Sequence, residues 1–266
     1  MNIRERNDSD GWTFPRQHNL YQDVAGNDDW ILYAACWCKD FPRIQNAVAA
    51  GGRVLHAHLR PGAGPLEGTV HTPLGVAFAY CDEEIVRFLL DQLTYDDFAG
   101  FDDRRESLLC CAIINIMPNI AVHLITTGRV DVGIRDNHGL TPLILAVGIG
   151  QPGVDIIPHI LLRDPLQRFV RTPPRTCDHL TASPLHVAVQ HGFLNSVKAL
   201  LQLNDHAQHE FLHLQNEDGH TALHTAALFL VSTMGEMMCL LLDCSDTLAG
   251  VRDKTGRTAL DLMYNY

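Results

Sequence analysis

Residues 217–226 read Glu217-Asp218-Gly219-His220-Thr221-Ala222-Leu223-His224-Thr225-Ala226. The same order of residue types returns elsewhere. Asp136-Asn137-His138-Gly139 precedes Thr141-Pro142-Leu143-Ile144-Leu145-Ala146, and Asp253-Lys254-Thr255-Gly256 precedes Thr258-Ala259-Leu260-Asp261-Leu262. Ser183-Pro184-Leu185-His186-Val187-Ala188 and Thr72-Pro73-Leu74-Gly75-Val76-Ala77 repeat the second half. Ser107-Leu108-Leu109-Cys110-Cys111-Ala112 and Ile31-Leu32-Tyr33-Ala34-Ala35 repeat it more loosely. The aligned leucines are 32, 74, 109, 143, 185, 223 and 260, spaced by 42, 35, 34, 42, 38 and 37. A period of this size marks a stack of repeated units, each too small to bury its apolar face alone.

Each part of the unit has a physical role. Asp followed by Gly three residues on makes a tight turn, with Gly tolerating positive φ. Ser or Thr before Pro starts a helix: the hydroxyl caps a backbone N–H, and Pro stands where its missing donor is not needed. The small Ala after the leucine lets neighbouring helices approach. A second helix follows at helical spacing, as in Glu84-Ile85-Val86-Arg87-Phe88-Leu89-Leu90 and Ser196-Val197-Lys198-Ala199-Leu200-Leu201.

The pattern Asp-x-x-Gly-x-Thr-Pro-Leu-His-x-Ala resembles the ankyrin repeat over roughly residues 27–266. The resemblance implies an all-α ankyrin-repeat solenoid, a curved stack of helix-turn-helix units with β-turn fingers and a concave groove. Repeats are expected near 27–52, 70–92, 104–130, 136–163, 178–204 and 216–244, with a half repeat at 253–266 serving as a C-terminal cap. Residues 1–26 are expected to form an N-terminal tail or cap. It also implies that His186 and His224 hydrogen-bond between units and are structural, with Asp261 in the same slot. Fingers are lengthened at 51–71 (Arg60-Pro61-Gly62-Ala63-Gly64-Pro65) and 163–182 (Arg171-Thr172-Pro173-Pro174-Arg175). Extra residues stand between helices near Gln151-Pro152-Gly153 and Val231-Ser232-Thr233.

Composition narrows the partners. The chain has 266 residues, 46% hydrophobic and 19% charged, against intrinsic disorder. Acidic residues exceed basic ones by 31 to 20, a formal charge of −11. That field repels phosphate, so no nucleic-acid and no membrane partner is expected. The longest apolar run, Leu108–Ile114, is far shorter than the roughly 18 residues of a span, and the start is too polar for a secretory signal. Cys36, Cys81, Cys110, Cys111, Cys239 and Cys244 lie in or beside apolar runs, which reads as core thiols in a reducing compartment, cytoplasmic or nuclear.

One chemical motif stands out. His209-Glu210-Phe211-Leu212-His213 matches the zinc-protease signature, with Glu236 the nearest third ligand. The repeat register puts His213 where the chain runs extended into a finger, so the two imidazoles are not expected to share a helix turn. No catalytic residue, metal or cofactor is assigned. Cys36-Trp37-Cys38 has poor spacing for a redox or zinc motif.

In ankyrin repeats the two residues after the small pair of the inner helix point into the groove. Here they are Trp37-Cys38, Ala79-Tyr80, Ile114-Asn115, Gly148-Ile149, Gln190-His191 and Leu228-Phe229, and the fingers add Asn137, His138, Leu140, His179 and His220. An apolar, aromatic stripe without Lys or Arg reads as a binding surface. The expected site is Trp37, Tyr80, Asn115, His138, Leu140, Ile149, His179, His191, His220 and Phe229. Two functions follow. One is a non-catalytic protein-interaction module, an adaptor or inhibitor. The other is a cofactor-independent isomerase, cyclase or hydrolase, or a binder of a small hydrophobic ligand, with His138, His179, His191 or His220 as acid or base.

Overall fold

The computed structural model describes residues 28–55, 58–59, 70–94, 107–136, 138–169, 183–202, 208–228 and 234–263. The tail or cap at 1–26 and the segments 60–65, 171–175 and 231–233 lie outside the described residues, as do Asn137, His179 and Phe229. Chain contacts divide the molecule into two compact units, Met1–Ile120 and Ala121–Tyr266.

In the first unit α1 (Asp28–Cys38) pairs with α2 (Phe41–Ala49), and α3 (Pro73–Tyr80) with α4 (Glu83–Leu90). α5 (Leu108–Ile114) packs on α3, and α3 on α1. α6 (Pro118–Thr127) starts here and runs on into the second unit. The finger ahead of α3 carries an antiparallel pair, β1 (His58–Leu59) and β2 (Val70–His71), with His58 opposite His71. Asp29 fixes the first repeat: its carboxylate accepts both Nε and Nη2 of Arg53, at 2.9 and 2.6 Å.

In the second unit α7 (Pro142–Gly148) pairs with α8 (Ile156–Arg163), α9 (Pro184–Gln190) with α10 (Leu194–Leu201), and α12 (Ala222–Leu228) with α13 (Met234–Cys244). α7 packs on α9, α9 on α12, and α12 on α14 (Ala259–Met263). A short helix, α11 (Gln208–Leu212), precedes the finger before α12. Gln151–Gly153, Pro165–Phe169 and Asp246–Gly250 are 3-10 turns. Among the described residues no helix is long and apolar enough to cross a membrane.

The anchor leucines 32, 74, 109, 143, 185 and 223 are all buried. Each contributes about 1.5–3 kcal/mol by leaving water. The seventh, Leu260, is 57% exposed; among the described residues no second helix follows α14 to cover it. Cys36, Cys81, Cys110 and Cys111 are core residues, but Cys239 is exposed. On α13 the buried positions are Met237 and Leu241, one turn apart, and 239 falls on the opposite side.

The fingers repeat one hydrogen-bond design. Asp136 Oδ1 accepts the N–H groups of His138 and Leu140, both at 2.8 Å. Asn216 Oδ1 does the same for Asp218 and His220, and Asp253 Oδ1 for Thr255 and Arg257. Gly139, Gly219 and Gly256 take φ of 76°, 80° and 84°. The side chains of Arg135, Gln215 and Arg252 then donate to the carbonyls of those glycines.

The helix starts divide into two kinds. Thr72 Oγ1 accepts the N–H of Gly75, and Ser107 Oγ that of Cys110, as expected of caps. Where His occupies the fourth position the hydroxyl turns to the ring instead. Ser183 Oγ lies 2.7 Å from His186 Nδ1, and Thr221 Oγ1 2.8 Å from His224 Nδ1. The opposite nitrogens reach the next finger, His186 Nε2 to His220 O at 2.9 Å and His224 Nε2 to Arg257 O at 3.2 Å. A carbonyl only accepts, so Nε2 carries the proton, Nδ1 accepts and the hydroxyl donates. These are the inter-unit bonds expected of His186 and His224.

Thr141 has Ile144 in the histidine slot, and its buried Oγ1 has no hydrogen-bond partner among the described residues. A hydroxyl bonded to the ring and one left bare should respond differently to removal. Thr221→Val is expected to cost about 1–2 kcal/mol, and Thr141→Val close to nothing. Urea unfolding of the two variants checks this; equal losses would contradict it.

Candidate interaction surface

The inner helices α1, α3, α5, α7, α9 and α12 each place one or two small residues in the core and end on side chains that emerge from it. In the first unit Trp37 and Tyr80 come together, ring centroids 4.6 Å apart and tilted by 34°. Behind them Trp37 meets Tyr33 edge-on at 6.3 Å, and Tyr33 stacks on Trp30 at 5.5 Å. Residues 30, 33 and 37 share one face of α1, so the ladder follows from helical spacing. Tyr33 is fully buried, Trp37 half-buried, and Tyr80 46% exposed. Asn115 is half-buried at the end of α5, and its Nδ2 donates to Cys111 O at 2.9 Å.

In the second unit Ile149 is half-buried after α7, and His191 is exposed after α9, its ring stacked on Phe193 at 5.6 Å. His138 is exposed and Leu140 half-buried on the finger held by Asp136. His220 departs from the expectation. It is only 8% exposed, stacked on His224 at 5.7 Å, with Nε2 3.4 Å from Asp253 Oδ2. The following finger folds over it, so its ring joins neighbouring repeats and is largely withdrawn from a partner. His179 and Phe229 lie outside the described residues.

The turns that end α1, α5, α7 and α9 each carry a left-handed residue, whereas α3 ends on an extended Cys81 at φ −92°. Gly150 and Gly192 supply the left-handed residue at φ 69° and 72°, but Lys39 and Ile116 adopt 55° and 57° without the freedom of glycine. Nothing in the sequence pattern marks these two positions. Nor does it mark Leu162 and Leu166, 76% and 69% exposed, on α8 and the 3-10 turn after it; they stand off the groove positions.

The zinc-like motif is arranged differently from the expectation. Residues 208–212 form α11, and His213 sits in the turn directly after it rather than in the extended run that the register implied. His213 Nε2 is 3.1 Å from Thr247 Oγ1, and Glu236 is ion-paired with Lys198 at 3.1 Å. Among the described residues no three His, Cys, Asp or Glu side chains are grouped to hold a metal.

His224 is fully buried. Burial holds its pKa below the ordinary 6.5, opposing the Arg257 carbonyl and the Asp253 carboxylate, which favour the charged ring; His220 adds to the depression. The unfolded chain therefore takes up the proton first. The stability of the neutral ring is present above about pH 6.5 and is lost as pH falls below it. His224→Gln is expected to flatten the fall in urea midpoint between about pH 7 and pH 5; parallel curves for the two proteins would contradict this.

The comparisons agree with the geometry. A model of ankyrin repeats, in three copies, matches residues 108–211 and 185–264, together more than half of the chain. No curated protein matches significantly. Among solved structures, the ankyrin repeat domain of Bcl-3, described as a unique member of the IkappaB protein family, superposes with a TM-score of 0.60 at 21% identity. It covers 87% of this chain and 92% of that one. The ankyrin repeat protein EF0377 superposes with a TM-score of 0.56 at 24% identity, covering 72% of this chain and 90% of that one. At such identities the likeness is one of fold. With the family match, the repeated fingers and the histidine links between units, the chain belongs to the ankyrin repeat family.

Proposed function

We propose that the chain is a non-catalytic adaptor or inhibitor that takes a protein partner on the side chains ending its inner helices and on its fingers. Repeats of this family generally mediate protein–protein interaction. The observation that carries the reading is Tyr80, an exposed aromatic ring backed by Trp37 and rooted through Tyr33 in the core. Rigid aromatic side chains are typical interface anchors because little entropy is lost when they are covered. His191, exposed and stacked on Phe193, is the corresponding element of the second unit. The thiols of Cys36, Cys38, Cys81, Cys239 and Cys244 are free, which suits a reducing compartment such as cytosol or nucleus.

Tyr80→Ala tests the reading better than Trp37→Ala, since Trp37 is wedged between Tyr33 and Tyr80. Tyr80→Ala should leave the melting temperature within about 2 °C of wild type. It should lower capture of the partner from cell extract by about tenfold or more. Unchanged capture by a folded variant would overturn the assignment of this face.

A further inference from the structure

We infer that the Tyr80 face of the first unit receives an arginine-bearing segment of the partner protein, the guanidinium stacking on Tyr80 and pairing with the carboxylates that follow it. This rests on the interaction-module reading and names the chemistry of its partner. Close to half of Tyr80 is open to solvent while Trp37 backs its ring. The open part is therefore a preset platform rather than a floppy side chain.

Electrostatics then selects the ligand. Two residues on from Tyr80, Asp82 stands at the N-cap of α4, which then begins with Glu83 and Glu84. Asp82 and Glu84 are exposed, and their carboxylates form no ion pair or side-chain hydrogen bond among the described residues. Neighbouring carboxylates are engaged: Glu83 accepts Asn119 at 2.8 Å, and Asp40 is paired with Arg43 at 3.1 Å. Lys39 brings one positive charge to the adjoining turn, which leaves carboxylates in excess. The chain as a whole carries −11. A cation is thus drawn to the face and an anion turned away. A guanidinium fits both parts of the site, because its plane stacks on an aromatic ring and its edge forks onto a carboxylate. An ammonium offers only the point charge, and an aliphatic side chain only the contact area.

The test uses the full chain and a labelled nonapeptide of three Gly-Ser-Arg repeats, read by fluorescence anisotropy at low salt. Saturable binding is expected, weakened about tenfold when citrulline replaces arginine and less when lysine does. Tyr80→Ala should weaken it about tenfold and Tyr80→Phe hardly at all; Asp82→Asn/Glu84→Gln should weaken it, and Glu217→Gln should not. Absence of binding, equal binding of the citrulline or lysine peptide, or indifference to Tyr80→Ala in a protein of unchanged melting temperature would overturn the inference. Capture from extract by Asp82→Lys/Glu84→Lys separates the two readings. If Tyr80→Ala loses the partner and the charge reversal keeps it, the interaction module stands and the arginine assignment falls. Loss in both variants supports the inference; loss in neither overturns both.

Discussion

Gly153→Ala is expected to lower stability by about 3 kcal/mol or more, a fall of roughly 6–12 °C in melting temperature. Gly153 closes the 3-10 turn between α7 and α8. A Cβ at this position would run into the carbonyl oxygen of Ala146 and crowd Ile149. Ala146 is fully buried on the inner helix, so its carbonyl cannot swing away without moving α7 off α9. The turn is held from the other side as well: Asn195 Nδ2 donates to Gln151 Oε1 at 2.6 Å, and a Cβ on Gly150 would touch the ring of Phe193. The chain supplies its own control. A Cβ on Gly235, in the first turn of α13, meets nothing within 4 Å. Gly235→Ala should be neutral or stabilising by up to about 1 kcal/mol, because alanine narrows the unfolded ensemble. Thermal unfolding of both variants decides; a mild Gly153→Ala would mean that the turn yields.

Asp253→Ala should cost roughly 2–4 kcal/mol. Its buried carboxylate accepts the N–H groups of Thr255 and Arg257 and the hydroxyl of Thr255 through Oδ1. Through Oδ2 it meets Arg257 at 3.1 Å and His220 at 3.4 Å. Removing it strips the last finger of its turn and leaves His220 facing no acceptor. Asn216 performs the same turn without a charge, so Asp253→Asn should keep the finger and lose about half as much. Burial would raise this carboxyl, but the Thr255 and Arg257 donors win and hold it well below the usual carboxylate range. The unfolded chain therefore protonates first. The stabilisation is complete above the ordinary value of 3.8 and fades as pH falls below it. The difference between wild type and Asp253→Asn in urea should narrow on acidification; a constant difference would contradict the charge argument.

Residues that act within one finger or one helix start were legible in the sequence. Asp136, Gly139, Asp253 and Gly256 announce their turn because the acceptor, the donors and the positive φ lie within five residues. Thr72 and Ser107 announce their caps for the same reason. Other features were hidden because they depend on side chains beyond the local turn. His220 reads as an exposed finger residue until Asp253 of the next finger, more than thirty residues on, closes over it. Thr221 reads as a cap until His224, drawn to the next finger by its other nitrogen, takes its hydroxyl. The Trp37–Tyr80 pair was expected on the groove from register alone, but its ladder through Tyr33 to Trp30 required two helices in place.

The central claim is that a protein partner sits on the ends of the inner helices. A photo-crosslinking amino acid at position 80, compared with the same residue at Gln45 on the exposed side of α2, tests it directly in cell extract, whatever the partner's identity. A discrete crosslinked protein from position 80 and none from position 45 is the expected result. Crosslinks of equal yield from both positions, or only from position 45, would contradict it.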